Sequence, residues 1–125
     1  MESENKNKKV GVFAYEFLGT AFIMYALMLA KGEFSMGPSL MTLIMMLVAW
    51  DISGGHFNPT ISLGMFVANK KWGQDLIPLV IMIVAQMAGA FFGVFLGYLS
   101  LLDGSWAKDF EDPTDPTVTV GAKVP

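Results

Sequence analysis

The sequence predicts an all-α membrane protein with three transmembrane helices and one re-entrant half-helix. Three observations lead there. The first is composition: 54% of the residues are apolar and 15% are charged, where a soluble domain carries about a quarter charged. The second is pattern. The charges gather at the N-terminus, around Lys70–Asp75 and after Leu102, and the apolar runs between them have no charged face of the kind a soluble helix turns to water. The third is one apolar stretch that follows a Gly-Gly break, opens on Asn58-Pro59 and is too short to cross a bilayer.

Val10 to Ala30 is the first span, about 20 residues, the length that crosses a hydrocarbon core of about 30 Å at about 1.5 Å per residue. It holds one charge, Glu16. Lys31 to Pro38 is a short connection broken by Gly32, Gly37 and Pro38, and Pro38 suits the first turn of the next helix, where its missing N–H costs nothing. The second span runs from about Pro38 to Trp50.

Ser53-Gly54-Gly55-His56-Phe57-Asn58-Pro59 cannot be a spanning helix. Two glycines break it, and Asn58-Pro59 reads as a helix start with Asn as N-cap and Pro at the first helical position. Thr60 to Ala68 is then apolar for about nine residues, about 14 Å or half a bilayer. Asn69-Lys70-Lys71-Trp72 returns to water. Non-helical backbone at membrane depth is tolerated only where protein buries it or where it lines a wet cavity.

Leu76 to about Leu102 is the third span, with Trp72 and Tyr98 near its ends as interfacial anchors. Ala85, Gly89, Gly93 and Gly97 recur every fourth residue, a stripe along which another helix can pack closely. Residues 103–125 form a polar, acidic tail without helical period. Its Asp109-Phe-Glu-Asp-Pro-Thr-Asp run lacks the oxygen spacing and glycine of a calcium loop. If the half-helix returns to its own side, Lys6, Lys8 and Lys9 share a side with Lys70 and Lys71, and the excess of lysine places that side, with residues 1–9 as a tail, in the cytoplasm.

Several functions are excluded at this level. The chain has no Cys and a single histidine, His56, so neither a disulfide nor a zinc site can be built from it. A net charge of −3 without a basic patch does not suit nucleic acid. No metal or cofactor is expected.

Ser53-Gly-Gly-His-Phe-Asn-Pro-Thr-Ile-Ser-Leu-Gly64 closely resembles the signature of the major intrinsic protein family, the aquaporins and glycerol facilitators. Glu16-Phe-Leu-Gly-Thr20 and Ala85-Gln86-Met-Ala-Gly89 resemble the family's first-helix and third-helix motifs, in family order. The resemblance implies one repeat of the aquaporin-like fold over residues 10–102. It implies that Gly54, Gly55, His56 and Asn58 line a pore, with Thr60 at or beside it and Ile61 as an apolar wall. It implies structural roles for Glu16 and Gln86 as polar braces behind the loop. The whole would conduct water or a small neutral solute such as glycerol without catalysis, associate with the same or related channel chains, and reside in the plasma membrane.

Three features depart from the family. Thr60 stands where the family has Ala; counted back from Asn58, the second-helix residue of the family's filter falls near Pro38; and there is one half-helix, with no second Asn-Pro motif and no Arg to supply the family's filter. A closed pore in this family needs two inverted halves, so the expectation is a half-channel, from a truncated chain or a partial gene product. Two other readings accompany it. One is a non-conducting half that binds and modulates full-length relatives. The other starts from Glu16: a first-helix carboxylate in a chain of this length also resembles the small multidrug resistance family of proton-coupled exporters, which requires a fourth span and leaves Ser53–Asn58 unexplained.

Overall fold

A computed structural model describes residues 2–30 and 36–102. The 31–35 connection and the acidic tail 103–125 lie outside the described residues. Four helices follow in order: α1 (Glu2–Met28), α2 (Gly37–Ser53), α3 (Pro59–Asn69) and α4 (Trp72–Leu101). No strand occurs among the described residues.

α1 begins eight residues before the expected span. Glu4 to Lys9 holds no Gly or Pro, so nothing stops a helix from growing back out of the apolar run. α2 has Pro at its first turn and runs three residues past Trp50, through Asp51, to a left-handed cap at Gly54, whose N–H meets the Trp50 carbonyl at 3.1 Å. α4 starts at Trp72 and accommodates Pro78 in its second turn. By length and composition α1 and α4 can each cross a membrane, whereas α2 is apolar but has 17 residues, about 26 Å at about 1.5 Å each. The second of the three expected crossings thus rests on the shortest of the three long helices.

α3 is built as its sequence predicts. Asn58 is the N-cap with extended backbone, its side-chain oxygen accepts from the Thr60 N–H at 2.8 Å, and Pro59 opens the helix. Lys70 ends it in a left-handed conformation (φ 56°). The helix has 11 residues, about 17 Å long. Phe66 of α3 meets Trp72 of α4 edge-on, ring centroids 5.2 Å apart, which ties the end of the half-length helix to the start of the next.

α1 is the centre of the packing, against α2 on one side and most extensively against α4; α3 packs on α4. The α1–α4 crossing is set by small residues. Ala85, Gly89, Gly93 and Gly97 are all buried. A Cβ at Gly89 would stand 2.3 Å from the Phe17 carbonyl oxygen, and one at Gly93 would stand 2.2 Å from that of Ala21. The helix backbones touch there, as they do when small residues line a crossing in lipid.

The inside of the chain is polar and the outside apolar. Glu16, Thr20, Ser53, Ser62 and Gln86 are buried, beside the small or apolar Ala21, Ala49, Phe57, Leu79 and Ala85. Phe91, Leu47, Trp50, Phe95 and Val80 are more than half exposed. A soluble monomer does not carry an apolar surface of that extent; lipid or another apolar partner is its natural surrounding.

Candidate functional site

The non-helical stretch between α2 and α3 is fastened from behind by one carboxylate. Glu16, in the middle of α1, has no exposed surface and accepts four hydrogen bonds. Ser53 Oγ donates to Oε1 at 2.6 Å and the His56 N–H to Oε1 at 3.1 Å; the Phe57 N–H donates to Oε2 at 2.7 Å and Gln86 Nε2 to Oε2 at 2.7 Å. A carboxylate offers acceptors only, and charge-assisted bonds of this kind are stronger than neutral ones. Three elements thereby converge on one side chain: the end of α2, the turn, and α4.

The turn needs this support because its backbone is unusual. Gly54 and Gly55 lie in succession at φ 86° and 62°, and Phe57 sits at φ 47°. Glycine adopts such angles freely; a bulky residue does so at a cost of order 1–3 kcal/mol when its surroundings enforce it. They do so here. The Phe57 N–H is held by Glu16, its carbonyl accepts from Thr20 Oγ1 at 3.5 Å, and its ring lies where a Cβ on Gly19 would stand 2.1 Å away. Ser53 Oγ, while donating to Glu16, also accepts the Gly55 N–H at 3.2 Å.

With the N–H groups drawn back toward Glu16, the carbonyls are left over. No described residue donates to the carbonyl oxygens of Gly54, Gly55 or His56. Unpaired backbone acceptors seek water or a polar solute. At the end of the turn Asn58 and Thr60 are exposed, and Ile61 is 48% exposed. The N-terminus of α3 adds the positive end of a helix dipole at the same place.

A second layer lies beneath. Gln86 Nε2 donates to Ser62 Oγ at 2.9 Å as well as to Glu16, and Ser62 Oγ is 3.1 Å from His56 Nδ1. Glu16, Gln86, Ser62 and His56 thus form one connected chain of polar groups. From His56 and Ser62 a cleft of about 190 Å³ runs between α3 and α4 toward Asn69 and Asp75. A larger one of about 520 Å³ opens beside Ser53 and reaches Lys8, Lys9 and the same Asp75.

The candidate site residues singled out in the sequence all lie among the described residues. Gly54, Gly55, His56, Asn58, Thr60 and Ile61 are contiguous through the turn and first turn of α3. Glu16 and Gln86 are hydrogen-bonded to each other behind it, and Ala85, Gly89, Gly93 and Gly97 lie on the buried face of α4. Sequence reasoning gave no role to Ser53, Ser62, Thr20 or Phe57. Two of them carried a signal: Thr20 is one helical turn after Glu16, and Ser62 one turn after Asn58, so each shares a face with a residue already marked.

A helical chain with a polar interior, an apolar exterior and a broken-helix turn pinned by a buried carboxylate belongs to the class of membrane channels and transporters, where irregular backbone is kept for a polar path. The sequence model described as Major intrinsic protein matches residues 4–124, and the chain belongs to that family, whose members are channels and not enzymes. It is 40% identical over 77 residues to Aquaporin Z of Brucella melitensis, covering 62% of this chain and 28% of that protein. It is 43% identical over 89 residues to the probable aquaporin PIP2-2 of Oryza sativa subsp. japonica, covering 67% of this chain and 30% of that one. To the aquaglyceroporin of Toxoplasma gondii it is 38% identical over 48 residues, 38% of this chain and 18% of that protein. The matched regions span under a third of the length of these relatives. No solved structure matches the chain.

Proposed function

We propose that this chain forms one wall of a passive membrane channel for water or a small neutral solute such as glycerol. A second, inverted half supplies the other wall. The carrying observation is the Glu16-held turn. Glu16 gathers the N–H groups of His56 and Phe57 to its side, which leaves the carbonyls of Gly54, Gly55 and His56 without donors from the described residues, and exposed Asn58 follows two residues after His56. Acceptors in file beside a side-chain amide suit a solute that exchanges one hydrogen bond at a time. A positive helix end at the same point opposes cations and protons.

The half-channel reading draws on exposure. Asn58, Thr60 and Ile61 stand at the surface of this chain, so a closed path requires a further wall. Names of relatives support both solute classes: two are aquaporins and one is an aquaglyceroporin.

In this reading α1, α2 and α4 cross the membrane, α3 enters and leaves on one side, and the N-terminus is cytoplasmic. The half-length of α3 and the exposed Lys70-Lys71 exit favour that topology. The chain has no cysteine, so single cysteines placed by Lys6→Cys and Lys70→Cys report cleanly. Both are expected to react with an impermeant thiol reagent from the cytoplasmic side of oriented vesicles. Reaction from opposite sides means that α3 crosses fully, and the topology is then wrong.

A further inference from the structure

The donors and acceptors behind the turn can be counted one by one, and the count decides the state of a ring. Glu16 meets the Gln86 amide at Oε2. A carboxylate has only acceptors to offer, so Gln86 presents its NH₂ group there, and the flipped amide is ruled out by the network. The second hydrogen of that NH₂ goes to Ser62 Oγ at 2.9 Å. Gln86 Oε1 is left buried, with no partner among the described residues, the consequence of turning both hydrogens to Glu16 and Ser62.

Ser62 is therefore an acceptor toward Gln86 and still has its own hydrogen to place. It is 2% exposed, which favours a protein acceptor over water. Thr42 and Ser100 both bond back to the carbonyl four residues earlier, at 2.8 and 3.0 Å, but Ser62 makes no such bond to Asn58. Among the described residues one acceptor is in reach, His56 Nδ1 at 3.1 Å. A hydroxyl hydrogen given to Nδ1 requires that Nδ1 carry none, and the neutral ring then has its hydrogen on Nε2. Nε2 lies on the far side of the ring from Ser62, 3.2 Å from where a Cβ on Gly54 would stand.

We propose that Ser62 is a positioning residue that holds His56 in the Nε2–H tautomer. The ring then presents a donor on its Gly54 side, in a turn whose Gly54, Gly55 and His56 carbonyls offer only acceptors. What that donor does for a passing solute rests on the channel reading above; the tautomer itself does not.

His56 is the single histidine, so the full chain labelled with ¹⁵N-histidine and held in nanodiscs gives one pair of imidazole nitrogen signals. The measurement is made well above the ordinary imidazole titration range, at about 6.5. The expected spectrum has an unprotonated, pyridine-type Nδ1 and a protonated, pyrrole-type Nε2. In Ser62→Ala the Nδ1–H population rises roughly five-fold, the equivalent of one hydrogen bond, and Ser62→Thr restores the wild-type pattern. Size-exclusion elution shows which variants fold. A protonated Nδ1 in the wild-type chain overturns the proposal whether or not Ser62→Ala folds, and so does a folded Ser62→Ala with an unchanged tautomer ratio. Neither result touches the Glu16-held turn, so the channel reading would stand or fall separately.

Discussion

Glu16→Ala is expected to abolish the folded chain rather than weaken it. The substitution strands the Ser53 hydroxyl, the His56 and Phe57 N–H groups and one Gln86 N–H in a fully buried place. Each orphaned donor costs about 1–3 kcal/mol, against a total stability of about 5–15 kcal/mol for a typical domain. The costs are not additive, since the four donors share one acceptor; the full sum, about 4–12 kcal/mol, rivals the stability available, and half of it still removes a large share. Glu16→Gln keeps the shape but turns an NH₂ toward groups that are donors themselves, so it should fall between wild type and Glu16→Ala. Asn58→Ala gives the comparison: it removes one exposed cap, worth about 1 kcal/mol, and should fold. The readout is the monodisperse fraction after detergent extraction, with the unfolding midpoint. Equal midpoints for wild type and Glu16→Ala would remove the carboxylate from the centre of the fold.

Gly93→Leu should have the second large effect. A Cβ there would stand 2.2 Å from the Ala21 carbonyl oxygen, and the obstacle is backbone, which no rotamer change can relieve. α1 and α4 must separate along the crossing that carries most of the packing. Overpacking usually costs about 1–3 kcal/mol; with a backbone contact the loss should be at the upper end or above. Gly64 is the control. It lies in the interior of α3 with nothing within 4 Å of its would-be Cβ, and Gly64→Ala should stabilise the chain by about 0.5–1 kcal/mol through helix propensity. Denaturant midpoints for the two variants should move in opposite directions. A Gly93→Leu chain as stable as wild type would mean that the α1–α4 crossing is not as close as described.

What could be read from the sequence was what local chemistry decides. Gly54-Gly55 had to break a helix and Asn58-Pro59 had to start one, because a φ above zero and a cap are properties of one or two residues. The every-fourth-residue stripe from Ala85 to Gly97 marked a close crossing because a helix has one period. What escaped was decided across long separations. Ser53 matters because Glu16, 37 residues earlier, lies beside it, and Ser62 matters because Gln86, 24 residues later, gives it a hydrogen. Nothing local to either serine says so. Phe57 carried no signal in the sequence, yet it takes a left-handed backbone angle with its N–H held by Glu16 and its carbonyl by Thr20. Helix ends were displaced where breakers are absent, as at Glu4–Lys9.

The central claim, that this chain is one wall of a two-walled pore, is tested most directly by water permeability in liposomes. The purified chain alone is compared with the same chain joined to the second half of a full-length aquaporin relative, at equal amounts of folded protein. The account predicts osmotic shrinkage no faster than empty vesicles for the chain alone, and clearly faster shrinkage for the joined protein. Rapid shrinkage with the chain alone would contradict the need for a second wall, and folded but silent joined protein would contradict the channel function itself.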